Sequence, residues 1–328
     1  MSVLKDKQFE HIVHKIEPQG ELLKTWHLEG GVSAQITALE IKQFEGQTKK
    51  FIVRRHGAID LKQNPNIAKD EFRLLKILQS RGIAAPTPHY LDTTGEIFST
   101  PYIVIEYIEG ETEFSPSNLD DYIHQFATHL VKIHRIECSS VDLVFLPKQV
   151  ISFPDEVIER STNDDLSLTV GQIRETVSIG SSLQLNETVL LHGDYWPGNI
   201  LWKNGQLVAV IDWEDAKIGD PLADVANSRL EILWAFGIRA MHTFTHLYKS
   251  MMNINFSNLP YWDLWTVSKS AFQISNWGLD KSTETEMRQG LKLFAQQAYG
   301  AALPHPHERR ELTIMPKCRI IAPKDRDG

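Results

Sequence analysis

The 328-residue chain holds only two cysteines, Cys138 and Cys318, far apart and without metal-ligand spacing around either. A disulfide framework and a cysteine zinc site are thereby excluded, and a reducing, cytoplasmic setting is expected. Positive charge is also in short supply: 34 Lys and Arg stand against 42 Asp and Glu, a formal net charge of −8. Proteins that bind nucleic acid by neutralising many phosphates carry a basic face or stripe, so nucleic acid is not an expected partner. Nowhere does the sequence reach the roughly 18 uncharged apolar residues of a membrane-spanning helix. Its first fifteen residues, interrupted by Lys5, Asp6, Lys7, Glu10 and His11, lack the apolar core of about 7–15 residues that an export signal needs. No membrane association is expected. Repeats and low-complexity tracts are absent as well.

What is present is ordinary globular composition, 42% apolar and 23% charged, in a chain about twice as long as a typical domain of roughly 100–200 residues. The pattern of elements places the division. Short strands are predicted over Lys24–Leu28, Gln35–Ile41 and Phe51–His56, broken at Gly30-Gly31 and Glu45-Gly46-Gln47. A helix follows from about Asn66 to Arg81, with Ala68, Phe72, Leu75 and Leu78 at three- and four-residue spacing. Two more strands, His89–Asp92 and Tyr102–Tyr107, complete a small α+β part of five strands and one helix. Beyond Gly110 the period turns helical: Leu119, Tyr122, Ile123, Phe126, Leu130 and Ile133 share a stripe, with Ser117 or Asn118 as N-cap. Short helices are expected near Pro154–Arg160 and Leu166–Ile179. Strand-like runs at Thr188–Leu191, Ile200–Trp202 and Leu207–Ile211 come next, the last two joined by the Asn204-Gly205 turn. From Asp220 to about Leu303 the chain reads as helical, and the charged, proline-bearing stretch 304–328 reads as a weakly ordered tail. The resulting division is 1–108, 109–303 and 304–328.

Chemistry concentrates in Leu190-Leu191-His192-Gly193-Asp194-Tyr195-Trp196-Pro197-Gly198-Asn199, followed by Ile211-Asp212-Trp213-Glu214-Asp215. Two acids and an amide sit in loops that hang from apolar strands. Phosphoryl transfer calls for such a set: one carboxylate to orient an acceptor hydroxyl and take its proton, and hard oxygen ligands to hold magnesium against nucleotide phosphates. Asp-x-x-x-x-Asn is the spacing of protein-kinase catalytic loops, and an aspartate after a short strand pair matches their second metal ligand. His192, beside an apolar run, is read as an anchor of this loop through hydrogen bonds.

These residues resemble the aminoglycoside phosphotransferase family, which includes choline, homoserine and fructosamine kinases and is marked by His-Gly-Asp-x-x-x-x-Asn followed by Ile-Asp-Trp or Ile-Asp-Phe. The resemblance implies a protein-kinase-like two-lobed α+β fold, with an N-terminal antiparallel sheet plus helix and a larger, mainly helical C-terminal lobe. It further implies Asp194 as catalytic base, Asn199 and Asp212 as ligands of Mg2+, ATP or GTP as phosphoryl donor, and a small-molecule hydroxyl as acceptor. In the first lobe, Gly30, Gly31 and Ser33 could bring backbone N–H groups and a hydroxyl to phosphates. Where the family carries a phosphate-contacting lysine, this chain offers Arg54, with Arg55 as the alternate. The partner carboxylate on the following helix is Glu71, with Asp70 competing. Tyr102–Gly110 resembles the connection between lobes, where adenine would meet backbone groups near Glu106 and Ile108. Asp220-Pro221 reads as the cap and first residue of a helix.

Trp234, Tyr261, Trp262, Trp265 and Trp277 read mostly as core aromatics, and Glu214, Asp215, Glu231 and Asp263 would suit a cationic acceptor. A protein kinase is the nearest alternative, but His-Arg-Asp, Asp-Phe-Gly and Ala-Pro-Glu are missing. A catalytically silent nucleotide-binding protein of the same fold is the other.

Overall fold

The computed structural model describes residues 3–28, 34–138, 141–149 and 184–302. The predicted helices near 154–160 and 166–179, the Gly30-Gly31-Ser33 turn and the tail all lie outside these residues. The chain divides into two compact units, one formed by Met1–Glu111 with Leu201–Lys203 and Val208–Glu214, the other by the remainder.

The first unit is built on five antiparallel strands, β1 (Glu21–His27), β2 (Ala34–Lys42), β3 (Thr48–His56), β4 (Pro88–Asp92) and β5 (Tyr102–Glu106), in the order β1-β2-β3-β5-β4. β3 is central, pairing Val53 with Thr37 on one side and Val104 on the other. Its Phe51-Ile52-Val53 run is buried on both faces, the signature of a covered strand. One face carries Phe51 and Val53, packed with Phe9, Ile12 and Val13 of helix α1 (Val3–Ile16). That helix is an addition to the single helix read from the sequence, and the short α2 (Ala58–Gln63) is another.

The predicted helix forms as α3 (Ile67–Ser80) and packs against β3, β4 and β5. Its buried stripe is Ile67, Ala68, Glu71, Leu74, Leu75 and Leu78. Phe72, expected on this stripe, stands at its margin under the Lys76 ammonium. The stripe is rotated because a carboxylate, Glu71, takes an inward position that an apolar count assigns to its neighbour.

In the second unit α4 (Leu119–His134) starts at Asn118, whose Oδ1 accepts the N–H of Asp121, so Asn118 rather than Ser117 is the cap. Helices α5 (Leu222–Phe236), α6 (Ile238–Met251), α7 (Leu259–Gln273) and α8 (Lys281–Ala302) follow, with α6 packed on α4 and α5, and α7 on α5 and α8. Asp220 Oδ1 accepts the N–H of Leu222 at 2.9 Å, and Pro221, expected as the first helical residue, has helical dihedrals but stands one position earlier, at the N-cap itself. Aromatic edges knit the core: Phe126 of α4 meets Tyr195 at 4.5 Å and Phe244 of α6 at 5.7 Å. Trp234, Tyr261 and Trp262 are buried, whereas Trp277 is 41% exposed.

Strand β6 (Val189–Leu191) pairs with β9 (Lys217–Gly219) in this unit. β7 (Ile200–Lys203) and β8 (Gln206–Val210) form a hairpin whose turn residues Asn204 and Gly205 both have positive φ, 53° and 73°. That is what a two-residue turn matching strand twist demands. No helix among the described residues is long and apolar enough to cross a membrane.

Candidate active site

The loop after β6 is held from three sides. Asp224, in the first turn of α5, accepts the backbone N–H of His192 at 2.7 Å and of Gly193 at 3.0 Å. The same carboxylate meets His134 Nε2 at 3.2 Å, and His134 Nδ1 meets the Tyr248 hydroxyl at 2.6 Å. Asp224 is fully enclosed, yet its carboxyl is held below the usual range: burial favours the neutral form most strongly of any single influence, and His134 and His192 together outweigh it. One turn further along α5, Ser228 donates to the carbonyl of Tyr195 at 2.8 Å, while the Tyr195 hydroxyl donates to the Phe126 carbonyl at 2.9 Å. His192 is wholly buried, and its Nδ1 accepts the Asp194 N–H at 3.2 Å, the anchoring role read from sequence.

Gly193 has φ +86°, and a Cβ there would run into the backbone carbonyl of Asp215. Only glycine lets the loop turn against Asp215 at this point. Downstream, a single 3₁₀ turn at Pro197–Asn199 folds the loop back, so that Asn199 Nδ2 donates to both the carbonyl of Asp194 (2.9 Å) and its carboxylate Oδ2 (3.1 Å). Trp196 lies over Gly198 and against Phe114, centroid to centroid 6.3 Å.

The two predicted residues Asp194 and Asn199 are therefore in direct contact. Burial lifts the Asp194 carboxyl above its ordinary range; His192, Lys269 and the Asn199 hydrogen bond pull it down, and the Asp215 charge pushes it up. Glu231, one turn beyond Ser228 on α5, is pushed up to about 8 by burial and by the Asp194 charge, against Lys269.

A second cluster occupies the first unit. Arg54 is 5% exposed and makes ion pairs with three carboxylates: Nη2 to Asp212 Oδ1 at 2.6 Å, Nη2 to Glu214 Oε2 at 2.5 Å, and Nε to Glu71 Oε2 at 3.3 Å. Burial disfavours its charge, but Glu71, Asp212 and Glu214 more than reverse that, so the guanidinium stays charged. Glu71 is likewise held below its usual range, Arg54 and His56 outweighing burial. Of the alternatives left open by sequence, the structure joins Arg54 to Glu71. Arg55 points to the other face of β3, stacked over the Phe98 ring at 4.3 Å and bonded to Gln35, and Asp70 accepts from Asn64 at 3.0 Å.

Asp212 adopts φ +66°, a left-handed conformation uncommon outside glycine, directly after the Val210 N–H has been fixed on the Ala84 carbonyl at 2.8 Å. Its side chain is about a third exposed (32%). Burial raises its carboxyl, with Glu214 and Glu71 adding to the rise and Arg54 opposing it. Backbone strain of this kind collects at functional positions.

Two residues of this cluster were not singled out for it from sequence. His56 sits two positions after Arg54 on β3, hence on the same face, which strand alternation could have flagged. Glu214, read as a candidate for a cationic acceptor, is instead paired with Arg54, and Asp263 with Arg229 at 3.0 Å. The N–H of Glu106 is taken by the Thr87 carbonyl at 2.8 Å and its carboxylate accepts the Thr87 N–H. Ile108 has no backbone hydrogen bond among the described residues.

Each unit, taken by itself, offers a hard oxygen of the kind divalent cations take. With its amide nitrogen committed to Asp194, Asn199 presents its oxygen, and Asp212 has a second carboxylate oxygen besides the one on Arg54.

Comparison with known proteins bears on the fold and the family. The chain is 26% identical over 239 residues to the mouse protein acyl-CoA dehydrogenase family member 10, covering 65% of this chain and 22% of that one. It spans between 22 and 37% of the curated acyl-CoA dehydrogenase relatives that it matches. Among solved structures, choline kinase LicA from Streptococcus pneumoniae is similar with a TM-score of 0.60 at 18% identity, covering 90% of this chain and all (100%) of that one. The streptomycin–ATP–APH(2″)-IIa ternary complex is similar with a TM-score of 0.55 at 20% identity, covering 83% and 91%. At such identities the likeness is one of fold, and that fold is the protein-kinase-like one expected from the motif. Because the family model described as "Phosphotransferase enzyme family" (APH) matches residues 28–249, most of its length, the chain belongs to that family.

Proposed function

We propose that the chain is a small-molecule kinase that transfers the γ-phosphoryl group of ATP or GTP to a substrate hydroxyl, with Asp194 as base. The observation that carries this reading is the Asn199 amide, which holds both the backbone and the carboxylate of Asp194. A base fixed at two atoms is pre-oriented for the acceptor proton. Its raised proton affinity moves it toward the range in which a general base works well. The acceptor O–H proton passes to Asp194 as the oxygen bonds to the γ-phosphorus and the nucleoside diphosphate leaves.

Asn199 and Asp212 are the residues that would hold Mg2+, which when bound neutralises charge on the phosphates. Arg54, oriented by Glu71, is assigned the place of the strand lysine as the cation on the phosphate side. Gly30, Gly31 and Ser33 are assigned to the phosphates, and the backbone at Glu106 and Ile108 to the base. Residues 1–108 are taken as the nucleotide-binding part and 109–303 as the part that carries the acceptor. That one similar protein is a choline kinase, and another is held in complex with streptomycin and ATP, supports a small polar acceptor and a nucleotide donor. A cytoplasmic location suits an enzyme that draws on the nucleotide pool.

The test is a screen of the purified protein with magnesium and ATP or GTP against amino alcohols, aminosugars, sugars and macrolides. Acceptor-dependent nucleotide consumption is expected, with kcat reduced by about 10²–10⁴-fold in Asp194→Asn. Nucleotide binding without turnover across the panel would instead identify a silent member of the fold.

A further inference from the structure

In the first unit, two cations and two carboxylates close a ring. Glu71 Oε2 lies 3.3 Å from Arg54 Nε and 2.9 Å from His56 Nε2; Glu214 Oε2 lies 2.5 Å from Arg54 Nη2 and 3.6 Å from His56 Nδ1. Arg54 and His56 alternate along β3 onto one face, Glu71 arrives from α3, and Glu214 follows Asp212 in sequence. His56 is fully enclosed at its side chain, so solvent does not substitute for these contacts.

We infer that His56 is a positioning residue that, as an imidazolium bridging Glu71 and Glu214, fixes the direction in which the Arg54 guanidinium points. The inference rests on the phosphotransferase reading above and adds a residue to it. A neutral imidazole has one N–H and one lone pair, and the lone pair would face a carboxylate oxygen on one side or the other. With both nitrogens next to carboxylates, the doubly protonated ring is the form that fits.

The ring contacts at Arg54 Nε, Glu71 Oε2 and both His56 nitrogens are ion pairs without the alignment of hydrogen bonds. Among the described residues the Arg54 guanidinium hydrogen-bonds Asp212 and Glu214 through Nη2. Its aim is thus set largely by the charges around it, which is why the fourth member matters. Burial would lower the basicity of His56, and Glu214 and Glu71 together reverse that to about 9. With a lysine, a compact ammonium could swivel among these carboxylates; a planar guanidinium has a preferred face and must be steered.

The test uses His56→Gln, which keeps a polar side chain of similar length and removes the charge. Nucleotide KM is expected to rise about tenfold, roughly the loss of one well-placed ionic contact, while kcat stays within about threefold, the split that marks lost ground-state binding. His56→Arg, which restores the charge, should recover part of that loss. In the wild-type protein at pH 8, the side-chain ¹⁵N resonances of His56 should show both ring nitrogens protonated. A folded His56→Gln protein with unchanged nucleotide KM would overturn the inference, and so would a neutral ring at pH 8. If the variant does not fold, the resonance measurement decides alone. It also decides if the wild-type protein binds no nucleotide, a result that would sink the phosphotransferase reading while leaving the ring itself open to the spectrum.

Discussion

The carboxylate of Asp224 holds the backbone N–H of His192 at 2.7 Å, so the first helical turn of α5 directly sets the conformation of the loop that bears Asp194. The neighbouring Gly193 N–H and the His134 ring converge on the same side chain. A single buried carboxylate thus ties α4, α5 and the loop together.

Replacing it should be costly. Asp224→Ala leaves two buried N–H groups and the His134 Nε2 contact without a partner, a loss of about 3–5 kcal/mol by analogy with broken buried charge pairs. Asp224→Asn keeps one acceptor oxygen and should lose less. Thermal unfolding followed by circular dichroism ranks the two, and turnover in the surviving fraction should fall with the loop's order.

Gly193→Ala should damage the loop without touching a charge. A left-handed φ costs a non-glycine residue about 1–3 kcal/mol, and the added methyl would collide with the Asp215 carbonyl. A midpoint lowered by several degrees is the expected outcome, about 2–4 °C for each kcal/mol in a domain of this size, with kcat reduced more than the thermal shift explains. An unchanged midpoint would show that the loop can move aside.

Glu231→Gln should change how stability depends on pH. The carboxyl is pushed up to about 8 in the folded chain, by burial and then by Asp194, with Lys269 opposing. A group whose folded pKa is raised contributes stability that is fully present below its unfolded pKa and is lost as pH rises through the folded value. Between about pH 4.5 and 8 the wild-type protein should therefore lose stability that the glutamine variant keeps. Melting curves at pH 5 and pH 8.5 measure this directly: the variant should gain on the wild type at the higher pH, and parallel behaviour would refute the assignment.

What sequence could say about this molecule follows the range over which its signals act. The loop 192–199 is legible because its base, amide and glycines fall within eight positions, and the Asp194–Asn199 contact is made inside that span. Strands β2, β3 and β5 show themselves as apolar runs between turns. α1 carries a signal too, Phe9, Ile12 and Val13 at three- and four-residue spacing, although the charges around it break the apolar run. The Arg54–Glu214 pair bridges 160 residues, and no local pattern can announce such a contact. Glu71 illustrates a subtler failure: a charged residue on the buried side of α3 looks like an interruption of the apolar stripe until its cationic partners are in place.

The presence of a guanidinium on β3 also bears on how this protein would behave toward affinity reagents. Acylating nucleotide analogues label kinases by transferring their acyl group to a nearby unprotonated amine. Residue 54 offers no amine, and the surrounding carboxylates keep its guanidinium protonated and unreactive. A survey relying on such reagents would pass over residue 54, however tightly the chain bound the nucleotide portion.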